Sequence, residues 1–222
     1  MDVLVTGGDT DLGRTIATAF RDAGHTVVLA GARRAELEVA AKELDAEALE
    51  FDNTNPASVE AARPRLPHHL DTVVNVPVLP EPVDPRTATP AELAAGWRAA
   101  LDAVVLSAVL TVHIAGDHIR SGGSIVNVLP DQPKAGTAGA AIKAALADWT
   151  AGQATYYGTR GITINLVAAG NTFEPGYDGL LPEPRTVAEE IARTALFITT
   201  PAARHINGQT LHVSRGVPAY LR

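Results

Sequence analysis

The sequence contains no cysteine, which excludes disulfides, thiolate metal ligands and a thiol nucleophile. Basic residues are also scarce, since 18 lysines and arginines stand against 25 acidic residues. The resulting net charge of −7 gives no basic surface for nucleic acid or an anionic membrane. No uninterrupted run of about 18 apolar residues occurs, so no membrane span is expected. The chain starts directly with an apolar segment instead of a signal-peptide pattern, and a cytoplasmic location is expected.

Short apolar runs alternate with segments of helical period, a pattern typical of a parallel sheet covered by helices on both faces. We therefore expect residues 1–222 to form one α/β domain, a doubly wound parallel sheet of about seven strands. The predicted strands are residues 3–6, 26–30, 48–51, 72–75, 124–129, 163–167 and 210–213. Helix ends are indicated by Gly24, by the capping box that starts at Thr89 and by a second box at Thr186.

Two further segments bear on the surface of the domain. Residues 76–90 contain five prolines and follow a predicted strand. They form either a stiff surface connection or a rigid wall over a cleft at the carboxyl end of the sheet. Residues 104–115 are apolar nearly all round, so this helix is expected to be covered by the core or by another subunit.

A glycine-rich turn, Thr6-Gly7-Gly8-Asp9-Thr10-Asp11-Leu12-Gly13, joins the first predicted strand to the first helix. In this context the helix N-terminus offers N–H groups to a pyrophosphate. Gly7 permits the tight turn, and Gly13 lets the helix pack closely on the strand. The turn resembles that of the short-chain dehydrogenase/reductase family, in which a glycine stands at the position of Asp11. The resemblance implies a Rossmann fold that binds NAD or NADP.

The replacement of that glycine by Asp11 brings a negative charge close to the expected phosphate site. The carboxylate either points away, caps the helix or is protonated, and a turn that binds nothing is the alternative. Val78 stands where the family has a second glycine that approaches the cofactor. Both replacements predict weakened dinucleotide binding.

The segment Gly31-Ala32-Arg33-Arg34 follows the second predicted strand, where an acidic residue usually binds the ribose hydroxyls of NAD. The guanidinium of Arg33 suits a 2′-phosphate instead, so NADP is favoured over NAD; a solvated helix start is the alternative interpretation. By the same resemblance, the remaining cofactor contacts are Leu12, Asp52, Asn53, Asn75, Lys143 and Thr172.

The family's catalytic group consists of a serine, a tyrosine, a lysine four residues after the tyrosine, and an asparagine. The resemblance places the serine at Pro130, the tyrosine at Gly139 and the asparagine at Val104, and only Lys143 is retained. In the family the tyrosine exchanges a proton with the substrate while a hydride moves to or from nicotinamide, which is general acid–base catalysis. The lost hydroxyls predict impaired or altered activity on a small carbonyl or alcohol.

Other residues are candidates to replace the missing acid. Asp131 and Thr137 lie between positions 130 and 139, in a loop that is shorter than the family's, and could approach the old serine position. Tyr156 and Tyr157 follow Lys143 by more than three helical turns, about 20 Å along the axis, and are expected to pack in the core or an interface. Lys143 is expected either to contact a ribose or to act as a base with a lowered pKa.

No metal site is expected, because His113 and Asp117 form a helical pair without a third ligand. Three functions remain open at this stage: an oxidoreductase with an impaired site, a non-catalytic protein that binds a dinucleotide or metabolite, and a non-redox enzyme that uses the old substrate cleft. The resemblance also implies a homodimer or homotetramer, or a pairing with an active relative, through the helices of residues 97–120 and 139–158.

Overall fold

Seven parallel strands lie in the part of the chain that the computed structural model describes, residues 1–130, 137–172 and 187–215. The strands are β1 (Asp2–Val5), β2 (Thr26–Gly31), β3 (Glu47–Glu50), β4 (Leu70–Asn75), β5 (Ile119–Leu129), β6 (Thr163–Thr172) and β7 (Thr210–Arg215). They hydrogen-bond in the order β3-β2-β1-β4-β5-β6-β7. All seven predicted strands are thereby confirmed, although β5 begins at Ile119 rather than at residue 124.

Helices cover both faces of this sheet, as the alternating pattern predicted. They are α1 (Asp11–Asp22), α2 (Arg34–Leu44), α3 (Pro56–Ala62), α4 (Pro90–Leu101), α5 (Ser107–Ala115), α6 (Ala138–Gly158) and α7 (Val187–Ile198). The core residues of α1, α2 and α7 pack on one face of the sheet, and those of α3, α5 and α6 pack on the other. The doubly wound α/β fold expected from the sequence is confirmed.

Side-chain alternation along the strands explains the two cores. In β1, Val3 and Val5 pack with Ile16 and Phe20 of α1, whereas Leu4 belongs to the cluster on the opposite face. All five side chains are fully buried. Because successive strand residues point to opposite faces, a continuous apolar run is what a strand covered on both sides requires.

The predicted helix ends have the expected geometry. Gly24 follows α1 with φ of +83°, a conformation that residues with a side chain rarely adopt. At the start of α4, the backbone N–H of Glu92 donates to Thr89 Oγ1 at 3.3 Å, and the Thr89 N–H donates to the Glu92 carboxylate at 2.8 Å. This reciprocal pair is the predicted capping box. The second predicted box involves Thr186, which lies outside the described residues.

A π-helical turn, Asp102–Leu106, joins α4 to α5, and sequence periodicity gave no sign of it. The continuous helical stretch Pro90–His118 is long and apolar enough to cross a membrane by length and composition, although Asp102 and His113 interrupt its apolar run. Half of its most apolar window is buried within the protein. Packing against the sheet and α6 therefore accounts for the apolar composition of this stretch. A core helix and a membrane span can have the same apolar composition.

Candidate functional site

A cleft of about 440 Å³ opens at the carboxyl ends of the central strands. The chain leaves β1 towards α1 on one face and leaves β4 towards α4 on the other, which produces a crevice where such folds bind ligands. The cleft is lined by Gly7 and Asp9 after β1, by Gly31 and Arg33 at the end of β2, and by Asp52 after β3. The sequence-predicted residues Asn53 and Val78 line the same cleft.

The turn between β1 and α1 leaves no space for side chains at its two critical glycines. Gly7 has φ of +63°, and an added Cβ would lie 2.6 Å from the carbonyl oxygen of Val76. A Cβ on Gly13 would lie only 2.0 Å from the carbonyl oxygen of Gly7. Gly7 therefore permits the positive φ of the turn and its close approach to Val76, and Gly13 lets α1 pack against the turn.

Thr10, rather than Asp11, caps helix α1. The Gly13 N–H donates to Thr10 Oγ1 at 3.1 Å, and the Thr10 hydroxyl donates to the Gly7 carbonyl at 2.6 Å. Asp11 is the first helical residue and is exposed. Of the interpretations offered for Asp11, capping is wrong because threonine already supplies the acceptor. A carboxylate in the first turn still interacts favourably with the helix dipole.

The backbone N–H groups of Asp11 and Leu12, at the N-terminus of α1, are available to an anionic group. Among the described residues, neither N–H group has a hydrogen-bond acceptor. The side chain of Leu12 is half-buried and packs against the core on the α1 face. The turn thus combines a close backbone approach with donors for an anionic group.

A buried carboxylate at Asp9, which sequence reasoning missed, lies beside Arg33. The Asp9 side chain is 1% exposed, and its Oδ2 accepts from Arg33 Nε at 3.0 Å and from the Arg33 backbone N–H at 3.1 Å. The guanidinium also donates to the Asp9 backbone carbonyl. Hydrogen bonding to Asp9, assisted by the charges of Asp9, Glu36 and Asp11, raises the pKa of Arg33 above its ordinary value. Arg33 is therefore part of an ion pair within the cleft.

Asp52 is fixed in a short turn after β3. Its Oδ1 accepts from the Thr54 N–H at 2.9 Å and from the Thr54 hydroxyl at 2.7 Å. The backbone N–H of Asp52 donates to Ser58 Oγ at 2.9 Å. These bonds hold Asp52 and Asn53 at the edge of the cleft, where the sequence placed a contact to adenine.

Asn75, at the end of β4, belongs to a buried polar chain that crosses the sheet. Its Nδ2 donates to Asn127 Oδ1 at 2.8 Å, and Asn127 Nδ2 donates to Thr150 Oγ1 at 2.9 Å. Asn75 Oδ1 is buried and has no partner within the described residues. The Val76 N–H donates to Thr6 Oγ1 at 3.0 Å, which ties β4 to the phosphate turn. Asn75 is not among the residues that line either cavity, whereas Thr6, which this network ties to the end of β4, lines the cleft.

A second, mostly apolar cavity of about 700 Å³ adjoins the residues at the missing catalytic positions. Gly139, Thr137, Val104 and Leu129 line it, as does the proline-rich segment of residues 79–85. The segment therefore forms a cavity wall, the second of the two interpretations given to it. Asp131 and the side chain of Thr172 lie outside the described part of the structure.

Lys143 lies one helical turn after Gly139 on the same face of α6. The side chain is half-buried, and burial lowers the pKa of Lys143 below that of a lysine in water. Burial, followed by the nearby positive charge of Lys143, also lowers the pKa of His212 on β7. One turn after Gly139, α6 therefore has an amine at which charge is partly disfavoured.

The two tyrosines in the described part of the structure do not replace the missing acid. Tyr157 is 6% exposed within the core, and burial raises the pKa of Tyr157. Its ring contacts that of Tyr156 edge-on, with centroids 5.1 Å apart. Tyr156 is itself 64% exposed. Core packing therefore accounts for Tyr157, as the sequence predicted, whereas the largely exposed Tyr156 is not a core residue and its place in an interface stays a prediction.

No group of three or more potential metal ligands occurs within the described ranges, where the helical pair of His113 and Asp117 has no third member. The Nδ1 atom of neighbouring His118 lies 2.8 Å from the carbonyl oxygen of Pro67, which is within hydrogen-bond distance.

Comparisons with known proteins extend over nearly the whole chain. A family model described as enoyl-(acyl carrier protein) reductase matches residues 8–218. A Mycobacterium tuberculosis protein, named provisionally as an oxidoreductase, is 61% identical over 221 residues, with 99% of each chain covered. L-fucose dehydrogenase of Oryctolagus cuniculus is 31% identical over 209 residues, which are 85% of this chain and 69% of that protein. A solved short-chain dehydrogenase of Burkholderia cenocepacia in complex with NADP is 28% identical; it has a TM-score of 0.78, with 96% of this chain and 95% of that one covered.

Proposed function

Because the chain belongs to the short-chain dehydrogenase/reductase family, we propose that it binds a nicotinamide dinucleotide across β1 and β4 and oxidises or reduces a small apolar carbonyl or alcohol compound. The observation that carries this proposal is the turn in which Gly7 and Gly13 leave no room for a Cβ. Such close packing brings the backbone donors of α1 to the cleft, where a pyrophosphate is bound in dinucleotide folds.

The remaining cleft residues fit the other parts of the dinucleotide. The N–H groups of Asp11 and Leu12 would bind the phosphates, and the turn at Asp52 and Asn53 would contact the adenine. Asn75, whose buried Oδ1 has no partner among the described residues, would lie beneath the nicotinamide end, as the family resemblance implies. Asp11 is exposed, so water and salt screen its charge and reduce the repulsion expected from the sequence.

Lys143 and Thr172 complete the proposed cofactor contacts at the nicotinamide end. Lys143 would bind ribose hydroxyls from α6, and Thr172, the last residue of β6, would contact the carboxamide. The solved relative that contains NADP supports the choice of a nicotinamide dinucleotide over other nucleotides.

The apolar cavity beside Gly139 supports an apolar substrate. Leu79, Leu93 and Ile142 supply apolar surface there, and the cavity of about 700 Å³ is large enough for a compound of moderate size. The matching family model and the Vibrio 3-oxoacyl-[acyl-carrier-protein] reductases, which are 32–33% identical over part of the chain, make acyl thioesters suitable test compounds.

A bound nicotinamide ring would supply or accept the hydride. The chain itself would bind the ribose through Lys143 and exclude water from the reacting carbon by the apolar cavity wall. Positions 130 and 139 carry no hydroxyl, so water at the substrate oxygen, or Thr137 in the cavity wall, would have to exchange the proton. Because a positioned acid contributes about 10² to 10⁴ in rate, we propose that activity is impaired.

The same missing hydroxyls favour a second candidate function. Gly139 lines the apolar cavity and Pro130 directly follows Leu129, which also lines it, and neither residue has a side chain that transfers protons. A chain that binds a dinucleotide and an apolar ligand without converting either agrees equally with this geometry. The two functions differ in one measurable property: only the oxidoreductase converts its bound substrate.

A Lys143→Ala variant tests the proposal against this second candidate. With NADH or NADPH, wild-type protein is expected to reduce apolar ketones and acyl thioesters slowly, and the variant to lose at least about tenfold in kcat/KM. The matched control is Lys42→Ala, which removes an exposed lysine from α2. Absence of turnover in wild-type protein that binds the dinucleotide would favour the non-catalytic function.

The preference for NADP inferred from Arg33 remains a prediction, and the ion pair with Asp9 argues against it, as the next subsection explains. A cytoplasmic location, a single domain and assembly into dimers or tetramers also remain predictions from sequence and family resemblance.

A further inference from the structure

The Asp9 carboxylate lies at the end of the cleft that is formed by the loops after β1 and β2. Its side chain is 1% exposed and lines the cleft beside Gly31 and Arg33. A Cβ on Gly31 would be 2.6 Å from Asp9 Oδ1, so the carboxylate occupies the space that a side chain at the end of β2 would need. This is the part of the fold that binds the adenosine ribose.

The two oxygens of this carboxylate have different partners. Oδ2 accepts from the backbone N–H and Nε of Arg33, at 3.1 and 3.0 Å. Oδ1 is buried and has no hydrogen-bond partner within the described residues. A buried carboxylate oxygen without a donor is costly, and a ligand hydroxyl that donates to it would relieve this cost.

The charges around Arg33 favour a hydroxyl over a phosphate at this position. Asp9 neutralises the guanidinium, and the negative charges of Glu36 and Asp11 also act on it. The adjacent Arg34 pairs with Glu38 at 2.8 Å and with Glu50 at 3.8 Å. A 2′-phosphate would therefore meet arginines that already have acidic partners, and it would approach the buried Asp9 carboxylate with like charge.

We propose that Asp9 makes this chain select NAD(H) over NADP(H), by accepting a hydrogen bond from an adenosine-ribose hydroxyl at Oδ1 and repelling a 2′-phosphate. Asp9 thus takes the role that an acidic residue at the end of β2 has in other dinucleotide folds. The inference rests on the proposed function, because it requires that the cleft binds a nicotinamide dinucleotide. It reverses the preference that the sequence assigned to Arg33.

Calorimetric titration of NADH and NADPH into wild-type protein and an Asp9→Ser variant tests this inference. Wild-type protein is expected to bind NADH at least about tenfold more tightly than NADPH. Asp9→Ser removes the repelling charge and frees Arg33, so NADPH is expected to gain about tenfold or more while NADH weakens. Asp9→Asn, which keeps the shape of the side chain, is the second variant should serine impair folding.

The control is Asp22→Ser, which removes the same charge from the exposed far end of α1 and is expected to leave the NADH/NADPH ratio unchanged. A wild-type preference for NADPH, or an unchanged ratio in both Asp9 variants, would overturn the inference while leaving the proposed function intact. If folded wild-type protein binds neither nucleotide at millimolar concentration, the proposed function fails, and this inference fails with it.

Discussion

The double variant Pro130→Ser, Gly139→Tyr is expected to reduce carbonyl compounds about 10² to 10⁴ times faster than the wild-type protein. The substitutions put a hydroxyl at each position where the family resemblance places one. A tyrosine at position 139 would lie one helical turn before Lys143 on the same face of α6, as i and i+4 residues do. The nearby amine would then stabilise the phenolate as the proton leaves.

The structure has space for the new side chains. Gly139 lines the apolar cavity of about 700 Å³, so a phenol ring there would enter open volume rather than the packed core. Pro130 directly follows β5, whose last residue Leu129 lines the same cavity. The gain is measured as NADH or NADPH oxidation with the same panel of ketones and acyl thioesters.

The matched control for this gain is Pro130→Ser, Gly139→Phe, which has the same ring without its hydroxyl. The phenylalanine variant is expected to remain at the wild-type rate. An equal gain in both variants would contradict the role given to the hydroxyl. So would a wild-type rate that already matches that of the tyrosine variant, since another group would then act as the acid.

The Gly13→Ala substitution is expected both to destabilise the fold and to remove dinucleotide binding. An alanine Cβ at this position would lie 2.0 Å from the Gly7 carbonyl oxygen and 2.6 Å from its carbon. Neither backbone atom can yield without shifting α1 away from the turn. We expect a loss of about 3 kcal/mol in the free energy of unfolding, measured by urea denaturation. The Kd for the dinucleotide is expected to rise by more than about tenfold, because the phosphate donors of α1 move with the helix.

Gly152→Ala provides the control for that prediction. Gly152 lies within α6, and nothing is found within 4 Å of an added Cβ. Alanine is favoured over glycine inside a helix, so this variant is expected to gain about 0.5 to 1 kcal/mol in stability and to bind as the wild type does. If Gly13→Ala unfolds at the same urea concentration as wild-type protein and binds equally well, the close packing assigned to the turn is wrong.

The fold could be predicted from the sequence because its signals are local. Apolar runs set the strands, Gly24 ends α1, and Thr89 with Glu92 begins α4, each through interactions within a few residues. The parallel order of the strands follows from alternation with helices. The π-helical turn at Asp102–Leu106 has no such local signal, because residues 104–115 are apolar nearly all round and a shift of the helical face leaves no mark on their pattern.

A cleft lies where the sequence predicted the cofactor, but its charges differ from those that the sequence predicted. The sequence assigned the critical negative charge to Asp11 by its place in the turn, whereas the structure leaves Asp11 exposed and buries Asp9. The Asp9 carboxylate can point inward because Gly31, 22 positions along the chain, has no side chain that would occupy the same space. The guanidinium of Arg33 also reaches it and donates a hydrogen bond to it. Thr10 before the first helical turn was a local signal for the cap, since threonine is a favoured N-cap residue.

Titration of the purified protein with NADH, followed by tryptophan emission, tests most directly the claim that this cleft binds a nicotinamide dinucleotide. Trp97 lines the apolar cavity, beside which the nicotinamide end is proposed to bind, and is 43% exposed. We expect saturable quenching with a Kd of roughly micromolar size, about −8 kcal/mol in binding free energy, and its loss in Gly13→Ala. No change in emission up to about 1 mM NADH or NADPH, in protein shown by circular dichroism to be folded, would contradict the claim.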